Sequence, residues 1–558
     1  NLSNNHTFTK VLFNGENWGI MNVEEHISTE LIEKQRKKDS IVIKLSDDKK
    51  LLYKLKSGNN FIENYKLSDP NLFFEIYNGD NKIESENIRK KISYITEELV
   101  NQNLPAIIDY ESYIRALFLC AAWGNFHPML NINKRYYFNP YTNKLEILTT
   151  DQDYYKKIND ISEIGHLNTF KKDNRLIIDS IIREESRYLN DKYINRILDR
   201  LESNIIDSFN KFNNDSFFPL DGYKKPTILL SNIAYLRENY KEFTKQLIYD
   251  DKSSEFKYLL DKKKISFFPQ HIYFNHYDNG NIDIYNLVNH NLIIKEILFG
   301  DQILEVNKVL KKTDNKITLN TNILNIKDGK IKIKTTLNDE ERINNNKYTL
   351  ISGDIYNPLK SYKGFFNIFE KTKDGDFIIK SGSHSFEELV YIKGNLIIEP
   401  DVKLFFAENS GMIIEGNITI NGTKQNPVIF DKKDKNNWKG IYIYNAKERS
   451  LLKNVSFKNV KNIDFGILNL TGSINFYKSD VTMKNVTIEN VDAEDALNII
   501  NSNFKIDSIK ILNTSSDAID FDFSNGHLAS GLFKNIKGDG LDYSGSITNI
   551  ENINFYNI

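Results

Sequence analysis

With 558 residues, 74 Lys and Arg against 75 Asp and Glu, a net charge of −1 and 40% hydrophobic residues, the chain is too long for one core and predicts several domains. Its balanced charge offers no electrostatic case for nucleic acid or for an anionic membrane. One cysteine excludes an intramolecular disulfide or a cysteine-based zinc cage, and no run of 18 or more apolar residues is present to span a membrane.

The first elements are short. Lys10–Phe13 reads as a strand, Asn14-Gly15 as a favoured hairpin turn, and Trp18–Val23 as the return strand. Ser28 followed by Leu31, Ile32 and Glu33 predicts a capped helix that ends near the basic cluster Lys34–Lys38, and Ile41–Lys44 is strand again. Asn87–Val100 and Asp109–Ala122 carry helical periodicity. In the second, Asp109 caps, Glu111 suits the first turn, and Tyr113, Leu117 and Cys120 share a face. Cys120 lies in the apolar run Ala116–Ala122, which reads as core rather than as a nucleophile. No signal-peptide pattern opens the chain, which starts on Asn1 without Met, as expected if a leader has been removed.

The chemistry concentrates in Trp123–Tyr155. A loop with Asn125, His127 and Asn133 feeds the strand-like run Lys134–Phe138. Asn139-Pro140 and Thr142-Asn143 turn the chain, and Leu145–Thr150 brings it back to Asp151 and Asp153. Residues flanking the open end of a hairpin are neighbours, so Asn133 and Asp151 should meet there. An amide oxygen beside a carboxylate can hold Mg²⁺ on nucleotide phosphates. The plain alternative is two ordinary turn residues bordering a hairpin.

From Asp173 to about Lys264 the pattern is helical, with Ile194, Ile197, Leu198, Leu201 and Ile205 forming one buried stripe. Phe217-Phe218-Pro219 and Asp221-Gly222 break it into halves. Beyond Ile265 short alternating runs separated by Asp-Asn-Gly, Asp-Asn and Asp-Gly turns predict a β-sandwich. The last third is a repeat. Asn490, Asn513, Asn535 and Asn557 fall 23, 22 and 22 residues apart, and Asp495-Ala496-Leu497, Asp517-Ala518-Ile519 and Asp539-Gly540-Leu541 recur every 22. That period fits one coil of a right-handed parallel β-helix per repeat, with the asparagines stacked as a ladder at a tight turn. Coils are expected from about Leu396. The recurring aspartates fit corner hydrogen bonds better than calcium, because one carboxylate per coil falls short of six to eight oxygens. An end at Ile558 in mid-repeat is expected to continue in a longer chain or to be covered by a partner.

The run HxxxxxN-x-RYYxNPxTxKLE…D over His127–Asp151, and the upstream pattern NG…G-I…EEH…LIE…R…I-I-K within Phe13–Lys44, resemble in their order the core signature of the spore-coat-protein-H (CotH) family of atypical kinases. The resemblance covers roughly Phe13–Tyr155. It implies transfer of phosphate from ATP to Ser or Thr of a protein partner, with Mg²⁺. On this resemblance Asn133 and Asp151 hold metal with Asp153 assisting, and Lys44 with Glu25 orients phosphates. Asn125 and His127 stand at the catalytic-loop positions, with His127 as base or substrate-positioning group. Better-known members place an aspartate in this loop, whereas no aspartate stands between Trp123 and Lys144 here. Plain alternatives are a solvated Glu25–Lys44 surface pair and a structural His127.

The whole therefore reads as a multidomain α+β and all-β protein exported to the cell surface or beyond. A kinase-like α+β lobe pair spans 1–265, with a small-lobe remnant over about 1–60 and a helical large lobe over about 85–265. A β-sandwich follows over 266–360 and a right-handed parallel β-helix over 361–558. The rival reading is a non-catalytic surface or adhesion protein with a vestigial kinase-like lobe, whose β-helix binds a partner or glycan. A third, a polysaccharide lyase or hydrolase on the β-helix, lacks an isolated acid and base on one coil.

Overall fold

A computed structural model describes residues 2–3, 6–44, 75–76, 85–100, 103–130, 133–150, 156–184, 189–213, 226–247, 271–286, 290–314, 316–322, 331–345, 349–353, 355–360, 368–373 and 375–558. They divide into two units. Asn1–Ile27, Ile41–Phe138 and Lys144–Gly353 make up the first; Ser28–Ser40, Asn139–Asn143 and Asp354–Ile558 make up the second.

In the first unit His6–Phe13 pairs antiparallel with Glu16–Glu24 through the expected turn, where Asn14 and Gly15 supply the left-handed backbone. A five-stranded sheet runs in the order Leu2–Ser3, Lys144–Thr149, Arg135–Asn139, Val42–Lys44, Glu75–Ile76. The helix Tyr110–Trp123 lies against it. The Asp109 carboxylate accepts from the Ser112 N–H at 2.8 Å and caps that helix, and the Ser112 hydroxyl accepts from the Ile147 N–H at 3.2 Å. On its other side Phe118 meets Phe243 of the helix Thr227–Gln246 edge-on, with centroids 5.4 Å apart. Cys120 is buried, and burial pushes its thiol up, away from reactivity. In the helix Asp191–Asn213 the stripe Ile194, Ile197, Leu198 and Ile205 is buried, with Leu201 partly so. The predicted break at 217–222 and the helical reading over 248–264 lie outside the described residues.

Later in the same unit two four-stranded sheets share an apolar core. Their orders are Gln302–Leu310, Leu292–Phe299, Ile331–Leu337, Glu340–Asn345 and Ile317–Asn320, Asn281–Asn286, Ile272–Tyr277, Thr349–Leu350. Phe274, Ile284, Ile294 and Ile333 stand at the centre of that core. The alternation produces this arrangement: in Ile331–Leu337 every second side chain is buried.

The second unit is a β-solenoid of parallel coils. One face is the seven-stranded sheet Val390–Lys393, Met412–Glu415, Ile441–Tyr444, Gly472–Tyr477, Asp495–Ile500, Asp517–Asp522, Leu541–Ser544, and a branched fourteen-stranded sheet forms the rest. Stacked aromatics fill the interior, Trp438 on Phe406 at 4.4 Å and Phe504 on Phe521 at 4.3 Å. The ladder is present. Asn557 donates to Asn535, Asn535 to Asn513, Asn513 to Asn490 and Asn490 to Asn459, at 2.8–3.2 Å, and each of these residues holds positive φ. Asp517 accepts the Asp539 N–H at 2.7 Å, which is a corner hydrogen bond between coils.

Two placements differ from expectation. Parallel pairing starts one coil before Leu396, where Phe377–Ile379 pairs with Leu396–Ile398. The elements of that coil, FII and GSHSF, carry too few apolar positions for alternation to stand out. The capped helix Thr29–Lys34 forms as read, with Ser28 as its cap, yet Ser28–Ser40 belongs to the solenoid unit. Asn139–Asn143 belongs there too. Tyr141 stacks on Tyr477 at 4.6 Å, and its carbonyl accepts from the Tyr442 hydroxyl at 2.6 Å. No helix among the described residues is long and apolar enough to cross a membrane.

Candidate functional site

The loop that leaves the helix Tyr110–Trp123 turns on Gly124, which has φ +78°. A Cβ there would fall 2.5 Å from the carbonyl oxygen of Lys156, so glycine is required. Asn125 follows, fully buried, and its Oδ1 accepts the His127 N–H at 3.0 Å. Phe126 stacks on Phe170 at 4.2 Å. Backbone bonds from Phe126 N–H to the Gly165 carbonyl and from Gly165 N–H to the Gly124 carbonyl, both 2.9 Å, close the loop. Asn125 therefore shapes the loop from inside it.

His127 opens a short 3₁₀ turn, His127–Met129, and is half-buried. The Asn133 Nδ2 lies 3.3 Å and 3.4 Å from the two His127 ring nitrogens and donates to the His127 carbonyl at 3.0 Å. These contacts spend the amide nitrogen on the histidine. The Thr150 hydroxyl donates to the Asn133 carbonyl at 2.8 Å, so the residue preceding Asp151 in sequence meets Asn133. Asp151 and Asp153 themselves lie outside the described residues.

Lys44 is buried on Val42–Lys44, whose register with the next strand is Val42 to Tyr137 and Ile43 to Tyr136. That register carries Lys44 toward Arg135, two residues from Asn133. Glu25 lies just past the strand Glu16–Glu24, half-buried. The sheet thus brings Lys44 and Asn133 to one end, with His127 on Asn133.

Sequence reasoning missed three residues. Lys134 is fully buried and its ammonium donates to Asn174 Oδ1 at 2.5 Å; the Tyr113 hydroxyl donates to the same oxygen at 2.6 Å. Asn174 in turn donates to the Met129 and Phe170 carbonyls at 3.2 Å and 2.9 Å, which ties the loop floor to the helices. His166, exposed and left-handed at φ +59°, brings its ring to 5.3 Å from that of His127. Only the Gly165-His166 pair at a helix start gave a signal for it. A lysine at a strand start reads as surface, and Asn174 reads as punctuation between two helices.

Chemically, the described cluster offers an amide and an imidazole in contact, with Lys44 buried on a neighbouring strand. An amide oxygen suits a hard cation such as Mg²⁺, and an ammonium suits phosphate. Among the described residues no group of three or more His, Cys, Asp and Glu side chains is arranged to hold a metal ion. Comparison with family models finds no match for this chain, and comparison with curated proteins finds none either.

Proposed function

We propose that the chain is a secreted or surface-exposed atypical protein kinase of the spore-coat-protein-H type, transferring phosphate from ATP to Ser or Thr of a partner protein. The observation that supports this reading is the contact of Asn133 with His127 and with Thr150, beside the strand pairing of Val42 and Ile43 with Tyr137 and Tyr136. In this scheme Lys44, assisted by Glu25, pairs with phosphate oxygens. His127 takes the proton of the attacking hydroxyl, or places that hydroxyl in line. Asn133, Asp151 and Asp153 would hold Mg²⁺, which when bound neutralises charge on the phosphates.

Calorimetric titration of ATP into the intact chain, with and without Mg²⁺, tests the reading. Binding should require Mg²⁺ and vanish in Asp151→Ala while circular dichroism stays unchanged. His127→Ala should keep ATP binding and lower transfer about 100-fold or more. Absence of Mg²⁺-dependent ATP binding would defeat the proposal. The missing aspartate between Trp123 and Lys144 favours a second reading in that event, a non-catalytic surface protein whose solenoid binds a protein or glycan.

A further inference from the structure

Beneath the Ser28–Ser40 segment the outer face of the solenoid is acidic and buried. On the seven-stranded sheet Asn475, Asn498 and Asp520 stack in register from coil to coil, and Tyr477, Ile500 and Asp522 form the neighbouring column. Asp495, Asp520 and Asp522 are only 3%, 4% and 0% exposed. Lys38 reaches in from the segment, its Nζ 3.0 Å from Asp522 Oδ2 and 3.4 Å from Asp520 Oδ2. Arg36 donates to the Phe523 carbonyl at 2.6 Å, and its own carbonyl accepts from Asn501 at 3.2 Å. The Asn498 Nδ2 is shared by Asp495 at 3.2 Å, Asp520 at 3.3 Å and Thr471 at 3.3 Å.

With every carboxylate ionised, neither charge nor hydrogen bonding balances. Three buried carboxylates share the ammonium of Lys38, while Glu494 acts on Asp495 and Asp542 on Asp520 with the same negative sign. The unpartnered buried atoms on this face, Asn475 Oδ1, Asn498 Oδ1 and Asp520 Oδ1, are all acceptor oxygens. A proton on a carboxylate corrects both faults at once, removing a charge and adding a donor.

We propose that Ser28–Ser40 is a proton-controlled latch, closed on the solenoid while this acidic face holds a proton and loosened as rising pH strips it. Burial pushes Asp495 up to about 6, against hydrogen bonds from Thr471 and Asn498 and the charge of Lys38. Burial, reinforced by Asp522 and opposed by Lys38, holds Asp520 well above the ordinary carboxylate range. Opening withdraws the cover from Asp520, and a carboxylate in water ionises near pH 4. The closed state therefore binds more protons, and its advantage is lost as pH rises through 6 and beyond. Although burial opposes it, Asp522 and Asp520 hold the Lys38 ammonium above its usual range, so Lys38 stays charged throughout and adds no pH dependence of its own.

Hydrogen exchange on the intact chain reads the latch directly. The amides of Ile32, Gln35, Arg36 and Lys37 are hydrogen-bonded within the segment. Their protection, corrected for intrinsic rates, should fall at least tenfold between pH 5 and pH 9, while amides of Ile509–Leu512 on the ladder-bearing sheet keep theirs. Asp520→Asn, which is neutral and supplies a donor, should flatten that dependence. Asp495→Asn should reduce it and serves as the second variant if the first does not fold. Constant protection in the native chain across this range would overturn the proposal, as would an undiminished pH dependence in a folded Asp520→Asn.

Discussion

Lys91 is buried, its ammonium 5.6 Å from the Phe138 ring centroid, and burial pulls it down to about 8. The folded chain binds fewer protons at this residue than the unfolded chain between pH 8 and the ordinary lysine range. Stability from Lys91 therefore rises with pH across that window, and at pH 7 the buried charge costs free energy. Lys91→Met should stabilise the first unit at pH 7 by roughly 1–3 kcal/mol, with a smaller gain at pH 9.5; thermal unfolding at the two values checks both signs. Nothing in the sequence marks Lys91 or Lys134 as buried. Lys134 is held by partners distant in the chain: Asn174 lies 40 residues beyond it and Tyr113 is 61 residues from Asn174. At the loop itself the sequence singles out His127 and Asn133, and the contact between them emerges only from the fold.

Elements whose cause is local were legible. The Asn14-Gly15 turn, the Ser28 cap and the Asp109 cap each depend on a few adjacent residues, and each is present. The asparagine ladder was legible for a different reason, since a constant period of 22 or 23 makes a three-dimensional stack visible in one dimension. A second stack was not. Asn485 donates to Asn454 at 2.7 Å across 31 residues, because a longer coil intervenes, and the same coil puts the last ladder rung, Asn490 to Asn459, outside the period. In the middle of the regular ladder Asn535 both donates and accepts and holds φ +56°. Asn535→Ala should lower solenoid stability by about 1–3 kcal/mol, combining lost hydrogen bonds with left-handed strain. Asn535→Gly should be milder, because glycine loses the hydrogen bonds but escapes the left-handed strain. Denaturant midpoints of the solenoid transition separate the two.

At the scale of the molecule, the segment assignment was the least legible feature. Ser28–Ser40 and Asn139–Asn143 both lie early in the chain, yet both belong with coils hundreds of residues later. Local pattern decides that a helix or turn forms, and leaves open which surface receives it. The spacing of the recurring aspartates predicts corner hydrogen bonds, and Asp517 makes one with the Asp539 N–H. The solenoid should therefore keep its thermal midpoint in excess chelator; a drop of several degrees would mean that those carboxylates hold calcium instead.

The regular ladder also has a direction. Every rung donates toward the earlier coil, from Asn557 down to Asn459, and Asn459 donates at 2.7 Å to Asp431. Side-chain amides aligned head to tail polarise one another, and here their dipoles add along the stacking axis rather than cancel. One corner of an all-β element thereby acquires the polarity usually found in an α-helix. Asp431 is the anion at its foot, accepting from the positive, amide-hydrogen end of the series as an acidic cap does at a helix N-terminus.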